Sequence, residues 1–160
     1  MNPLRSQPFR SIVAWICFLG VAGLGVAADL TTKSLAVIHL KNAPPFRVIP
    51  HLLQFEYTQN YGAVFGMGQG QAPLFITVSV AAILFLVYLF STSGRSRLYQ
   101  IILGLLLAGV IGNMFDRLSL GYVRDMIHVF PGVYWPDWVV RMLPAHWQPR
   151  PGERLEVFEW

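Results

Sequence analysis

Three long apolar stretches without a charged side chain constrain this chain more than any other feature. They cover residues 11–28, 73–93 and 98–115, and each holds 18 or more residues. That length is enough for a helix to cross the ~30 Å hydrocarbon core of a bilayer. We therefore expect three transmembrane helices, over about residues 11–28, 73–93 and 98–116.

The composition agrees with a membrane protein. Apolar residues make up 54% of the chain and charged residues only 12%, whereas soluble domains carry about 25% charged residues. The net charge of +4 is modest, and basic residues near a bilayer commonly set topology and contact anionic lipid. No basic run is interleaved with aromatic residues, so we expect no nucleic-acid partner. Residues 1–160 are predicted to form a single membrane-embedded domain.

The first stretch has a second interpretation, as a cleavable signal peptide. Arg5 and Arg10 precede it, and Val26-Ala27-Ala28 resembles a cleavage site. The apolar run exceeds the usual ~7–15 residues of such peptides, and two further spans follow. We expect an uncleaved first helix.

The segment between the first two spans, residues 29–72, favours a small sheet. Pro44, Pro45 and Pro50 interrupt any long helix, and residues 53–58 alternate apolar and polar side chains and are rich in aromatics, which is typical of a strand. Glycines between residues 62 and 70 then predict tight turns. The predicted fold class is a mainly α, polytopic membrane protein with a small β platform.

Polar residues cluster in three places, which three spans would put on one side of the membrane. The clusters contain Asp29 and Lys33; Asn60 and Gly62; and Asn113, Asp116, Arg117 and Asp125. Ionisable side chains are costly at the edge of a span, so they suggest a functional site.

The third cluster is the most informative. Spacings of three and four residues put Asn113, Asp116 and Arg117 on one helical face. Gly121 is predicted to end that helix and to let Asp125 turn inward. Simpler interpretations remain open: an interfacial Asp116–Arg117 ion pair, and a solvated Asp125 in a loop.

Paired aspartates that share a proton can hydrolyse a peptide, one as base towards water and the other as acid towards the carbonyl. Asp125 would need such a partner. The four histidines show no metal-ligand spacing, and His128 with Asp125 gives only two ligands, so no metal or cofactor is expected. The second cluster could also be a simple glycine-bearing turn, and Lys33 could be an interfacial anchor that reaches the headgroups.

The three clusters together resemble the conserved blocks of lipoprotein signal peptidase (signal peptidase II). The matching residues, in order and spacing, are Asp29-x-x-x-Lys33, Asn60-x-Gly62-Ala63-x-Phe65 and Gly112-Asn113-x-x-Asp116-Arg117-x-x-x-Gly121-x-Val123-x-Asp125. The resemblance implies a bacterial inner-membrane aspartic endopeptidase that removes prolipoprotein signal peptides just before a lipidated cysteine.

The resemblance also implies roles for individual residues. Asp125 matches one catalytic aspartate. The residues that match the substrate site are Asn60, Gly62, Asn113 and Arg117, and Asp29, Lys33 and Asp116 would support it. The implied partners are a signal-peptide helix with a diacylglyceryl-modified cysteine, and membrane lipid. The N-terminus would be cytoplasmic, an orientation that charge counting alone leaves open, and the β platform would be extracytoplasmic.

One expected block is missing from the sequence. The family carries a later Phe-Asn-x-Ala-Asp segment with the second catalytic aspartate, followed by a fourth transmembrane helix. Asp137 lacks that surrounding pattern, as do the glutamates of the tail over residues 131–160. We therefore expect a truncated chain that binds substrate weakly and does not cleave it.

A different class of protein also fits the charges. A small membrane adaptor or transporter subunit could use Asp116, Arg117 and Asp125 only to pair with partner helices. Asn60 and Gly62 would then tolerate substitution, because they would have no shared site to build.

Overall fold

Three long helices and a small sheet make up the computed structural model, which describes residues 11–62, 70–92, 96–134, 136–142 and 144. In chain order the elements are α1 (Ile12–Leu40), β1 (Phe46–Ile49), β2 (Leu53–Asn60), α2 (Ala72–Thr92), α3 (Arg97–Leu120), β3 (Val123–Val129) and α4 (Asp137–Met142). Helices α1, α2 and α3 are long and apolar enough to cross a membrane. The predicted fold class, mainly helical with a small β platform, is confirmed.

Two predicted features fall partly outside these residues. The glycine-bearing segment includes residues 63–69, and the tail over residues 131–160 includes residues 135, 143 and 145–160. The predicted strand over residues 53–58 is confirmed as β2.

Helix α1 is longer than its apolar run. That run ends at Ala28, but the helix continues to Leu40, so the expected linker begins as helix. Asp29 and Lys33 lie one turn apart and form an ion pair of 2.9 Å, which compensates their charges within the helix. The next helix-breaking residue, Pro44, comes only four positions after Leu40.

Polar residues fix the ends of the third helix. The Ser96 side chain accepts a hydrogen bond from the Tyr99 backbone N–H at 3.5 Å, as an N-cap does. At the other end Gly121 adopts φ 84°, and its N–H donates to the Arg117 carbonyl at 3.1 Å. The predicted stop at Gly121 is confirmed, and the chain passes directly from it into β3.

Small residues allow α1 and α3 to approach closely. A Cβ atom on Gly25 would lie 2.6 Å from the Ala108 Cβ, and one on Gly104 would lie 3.0 Å from the Phe18 carbonyl oxygen. The hydrophobic effect does not drive apolar helices together within a bilayer. Close backbone packing through small residues therefore supplies much of the attraction between them.

Aromatic stacking continues this packing. The rings of Phe18 and Phe90 are stacked with centroids 4.1 Å apart, and both residues are fully buried. They belong to a core whose buried members are Phe18, Ala22, Leu86, Phe90, Leu103 and Leu107.

The outer helix faces carry large apolar side chains. Leu24 is 76% exposed and Leu84 is 65% exposed, which would be unfavourable in water but suits contact with lipid acyl chains. The outward faces therefore agree with the assignment of α1, α2 and α3 as membrane spans.

The sheet is antiparallel, with strand order β1-β2-β3. β1 and β2 form a local pair, whereas β2 and β3 join distant parts of the chain. Thr58 lies opposite Asp125 and Asn60 lies opposite Val123, so Asn60 and Asp125 are diagonal neighbours on one face. The register thereby brings two of the three polar clusters together.

The glycine contacts give a matched pair of substitutions in α1. We expect Gly25→Ala to lower the thermal unfolding midpoint, because the new methyl group would overlap Ala108. Gly23→Ala should leave the midpoint unchanged or raise it, because a Cβ there meets nothing within 4 Å and alanine favours a helix by about 1 kcal/mol over glycine. Equal midpoints for the two variants in lipid nanodiscs would contradict this account of the α1–α3 contact.

Candidate active site

Lys33 links the first and third polar clusters. Its ammonium lies 2.8 Å from Asn113 Oδ1 and 2.9 Å from Asp29 Oδ2, and 3.5 Å from Asp116 Oδ2. The residue is only 4% exposed. The interpretation of Lys33 as an anchor reaching the headgroups is therefore wrong; it joins α1 to α3.

Gly112 makes room for this contact. A Cβ atom at that position would overlap the carboxylate of Asp29. Any residue with a side chain would push α1 and α3 apart where Asp29 and Lys33 meet Asn113. The glycine that precedes Asn113 is thus required by close approach.

Asp116 binds the start of β3. It is completely buried, and Arg124 donates to it from its backbone N–H at 3.1 Å and from Nη2 at 2.7 Å. Arg124 Nε adds contacts of 3.1 and 3.2 Å to the two carboxylate oxygens. The described contacts therefore pair Asp116 with Arg124 and Lys33 rather than with Arg117, the partner considered from sequence.

Arg117 holds the second polar cluster instead. Its Nη2 donates to the Gly62 carbonyl at 3.0 Å, and its guanidinium lies 5.1 Å from the centre of the Phe75 ring. The Gly62 N–H in turn donates to Asn60 Oδ1 at 2.8 Å. Arg117 thus connects α3 to the end of β2 and to the first turn of α2.

The Asn60 side chain connects these hydrogen bonds to Asp125. Because its Oδ1 accepts from a backbone N–H, its Nδ2 is the end that faces the carboxylate, and it donates to Asp125 Oδ2 at 3.0 Å. Asp125 is partly buried within β3. It is therefore not a solvated loop aspartate, the simpler alternative considered from sequence.

Asp125 faces a cavity of about 310 Å³. Its polar walls are Asp29, Lys33, Asn113, Arg124 and Asp125, and Met126, Ile127 and Val129 add apolar surface. The cavity thus combines convergent polar groups with apolar surface, as ligand-binding sites commonly do.

Burial raises the pKa of Asp125 above its ordinary value. The hydrogen bond from Asn60 and the positive charges of Lys33 and Arg117 oppose this rise, and the negative charge of Asp116 adds to it. The net effect favours a protonated carboxyl to higher pH than in water, which suits a group that exchanges a proton during a reaction.

The structure gathers all the residues singled out from sequence into one connected region. Contacts join Asp29, Lys33, Asn113 and Asp116, and a second set joins Asn60, Gly62, Arg117 and Asp125. The roles assigned to them stay predictions. Within the described residues no group of three or more His, Cys, Asp or Glu side chains could hold a metal ion.

Two residues of this region received no role from the sequence. Arg124 stands in the polar segment that ends at Asp125 but was assigned no function, and Phe75 was not singled out, although Arg124 binds Asp116 and Phe75 contacts Arg117. A basic residue between Val123 and Asp125 on a strand was the available signal for Arg124, since alternation directs it away from Asp125. Phe75 lies within a long apolar run and offered no signal.

Comparisons with known proteins decide the family. The sequence model described as signal peptidase (SPase) II matches residues 21–142. The chain belongs to the signal peptidase II family. A lipoprotein signal peptidase from Lactobacillus gasseri is 40% identical over 115 residues, which cover 71% of this chain and 75% of the relative. One from Caldanaerobacter subterraneus subsp. tengcongensis is 37% identical over 125 residues, covering 77% and 80%.

Solved structures of bacterial membrane enzymes also match. A bacterial membrane enzyme determined by the in meso method superposes with a TM-score of 0.64 at 29% identity, over 77% of this chain and 74% of that one. As a signal peptidase II family member, this chain is an aspartic protease of the membrane.

The buried charges around Asp116 predict a large stability effect. We expect Asp116→Asn to cost about 3 kcal/mol of unfolding free energy, because Arg124 would lose its buried counter-charge and Lys33 would keep only Asp29. Chemical unfolding in detergent micelles would measure it. The exposed Asp137 on α4 gives the control Asp137→Asn, which should match the parent protein; equal losses for both variants would contradict the role of Asp116.

The Asn60 contact predicts a titration effect. Replacing Asn60 with alanine removes a donor that stabilises the ionised carboxylate, so the pKa of Asp125 should rise further. Carboxyl ¹³C NMR titration would detect the change. Gln59→Ala is the control, because the Gln59 side chain contacts Tyr57 and Tyr61 instead. A lowered or unchanged pKa in Asn60→Ala would show that the hydrogen bond does not act on the anion.

Proposed function

We propose that Asp125 is one catalytic carboxylate in the cleavage of prolipoproteins before a diacylglyceryl-modified cysteine, and that it acts together with a second carboxyl group. The observation that carries the proposal is the placement of Asp125: partly buried, held by Asn60 at 3.0 Å, and facing a cavity at the ends of the helices. Membership of the signal peptidase II family supports the reaction class. Relatives named lipoprotein signal peptidase support the substrate class.

The proposed chemistry needs one proton shared between two carboxyl groups. One group takes a proton from water as it attacks the peptide carbonyl, and the other gives a proton to the carbonyl oxygen. The raised pKa of Asp125 favours a bound proton closer to neutral pH. Asn60 donates to one carboxyl oxygen, Oδ2, so it fixes which oxygen turns to the reacting bond.

The second carboxyl group is proposed to come from outside the described residues. Among the described acids, Asp29 lines the cavity but is paired with Lys33, and Asp116 is bound by both Arg124 and Lys33. Both carboxylates are therefore engaged in ion pairs with basic side chains. The Phe-Asn-x-Ala-Asp segment implied by the family resemblance does not occur in the 160 residues of the sequence.

The remaining polar residues suit a peptide substrate. Asn113 lines the same cavity as Asp125, and a side-chain amide can both donate to and accept from an extended backbone. Arg117 and Gly62 keep the end of β2 in place beside it. We assign peptide binding to Asn60, Gly62, Asn113 and Arg117, and support of the site to Asp29, Lys33 and Asp116.

The proposal includes a location and an orientation. We place the protein in the bacterial inner membrane with a cytoplasmic N-terminus, so that the sheet and Asp125 lie on the outer side. There the lipidated cysteine of a substrate would stay in the bilayer while its peptide bond reaches the cavity. The exposed apolar faces of the helices contact the lipid.

The alternative of a non-catalytic adaptor or transporter subunit is not favoured. The relatives of this chain are named lipoprotein signal peptidase. In addition, Asn60 and Gly62 take part in the contacts around Asp125, whereas an adaptor would leave them without a shared site.

Substitution of Asp125 tests the function. We expect Asp125→Asn to slow prolipoprotein processing by about 10²–10⁴-fold, because an amide cannot exchange the proton, while binding of the uncleaved substrate persists. Processing is measured as the shift of a prolipoprotein to its mature mass in a strain whose own signal peptidase II is depleted, with the gene expressed in full. Asp137→Asn is the matched control and should process normally; processing by Asp125→Asn at the parent rate would refute the assignment.

A further inference from the structure

Arg124 directly precedes Asp125 on β3, at a position that the family pattern leaves open. Successive side chains of a strand point to opposite faces, so the Arg124 and Asp125 side chains leave β3 in opposite directions, although both residues line the cavity. The pairing of Arg124 with Asp116 nevertheless fixes the same stretch of backbone. Arg124 can therefore influence where the Asp125 side chain lies.

Two helices hold Arg124. Its backbone N–H and its Nη2 donate to Asp116 on α3, at 3.1 and 2.7 Å. Its Nη1 donates to Ser34 Oγ on α1 at 3.1 Å. Asp116 is completely buried and is also paired with Lys33. The carboxylate that Arg124 binds therefore has little freedom to move.

We propose that Arg124 is a positioning residue, which fixes the backbone of β3 against α1 and α3 and thereby sets the carboxyl of Asp125 relative to Asn60 and Asn113. The inference rests on the proposed function of Asp125. Arg124 acts through Asp125 and is not assigned any contact with the reacting bond.

The geometry requires arginine rather than a positive charge alone. Nε and Nη2 both donate to the Asp116 carboxylate while Nη1 turns to Ser34. A lysine would keep the charge but could not reproduce this planar fork. Displacement of a reacting group by about 1 Å can cost about 10²-fold in rate, so loss of the fork should act on the chemical step.

The kinetic test compares Arg124→Lys and Arg124→Gln with the control Arg47→Gln, an exposed arginine of β1. The full protein is assayed in nanodiscs with a diacylglyceryl-modified prolipoprotein peptide. We expect kcat to fall about 10–100-fold in both Arg124 variants, with KM within about twofold of the parent value. Arg47→Gln should match the parent. A parent-like kcat in Arg124→Lys would overturn the proposal.

A second readout does not need turnover. The side-chain amide ¹⁵N signal of Asn60 reports its hydrogen bond to Asp125, and it should shift in both Arg124 variants but not in Arg47→Gln. The pKa of Asp125 should rise in Arg124→Gln, because Asp116 would be less neutralised and the Asn60 hydrogen bond would be weakened, and rise less in Arg124→Lys, which weakens only the hydrogen bond. If the Arg124 variants lower the unfolding midpoint but leave the Asn60 signal unchanged, Arg124 only stabilises the fold. That result would overturn its proposed positioning role.

These readouts separate the two proposals. If the parent protein cleaves nothing, the proposed function fails, while the Asn60 signal still decides whether Arg124 sets Asp125. If Arg124→Gln does not fold, Ser34→Ala removes only the Nη1 contact and should shift the same signal to a smaller extent. A parent-like signal in Ser34→Ala together with one in Arg124→Lys would overturn the proposal.

Discussion

The buried carboxylate of Asp116 is the interaction on which the polar end of this protein depends. It receives Arg124 from the strand and Lys33 from the first helix, and it belongs to the third helix itself. Exposing this buried anion and its two cations to lipid would be unfavourable, and so would separating the anion from the cations. The ends of α1 and α3 and the start of β3 are therefore held in one arrangement, and the cavity lies beside it.

Helices α1 and α3 contact each other in two different ways along their length. Within the bilayer the helices meet through glycine, where backbones approach without side chains between them. Beyond the apolar run the same two helices meet through Lys33, Asn113 and Asp29. Glycine serves both regions, because Gly112 admits the Asp29 carboxylate just as Gly25 admits Ala108.

The sequence predicted three long apolar helices and the strand β2, but not how the polar residues pair. Helix length and apolar content are local properties, so residues 73–93 indicated α2 almost to the residue. The pairing of Asp116 with Arg124 instead of Arg117 depends on the turn at Gly121 and on the register of β3, which are tertiary. The extension of α1 to Leu40 was missed for the same reason: its charges are satisfied partly by Asn113, 80 residues away. The resemblance to signal peptidase II supplied the roles of individual residues, and their catalytic assignment still depends on experiment.

The pairing of β2 with β3 has a consequence for biosynthesis. β2 leaves the ribosome before α2 and α3, whereas β3 follows both. Its partner is therefore missing while the first two helices are inserted, and Asn60 has no carboxylate to meet. The contact between Asn60 and Asp125 can therefore form only after the third helix has been synthesised.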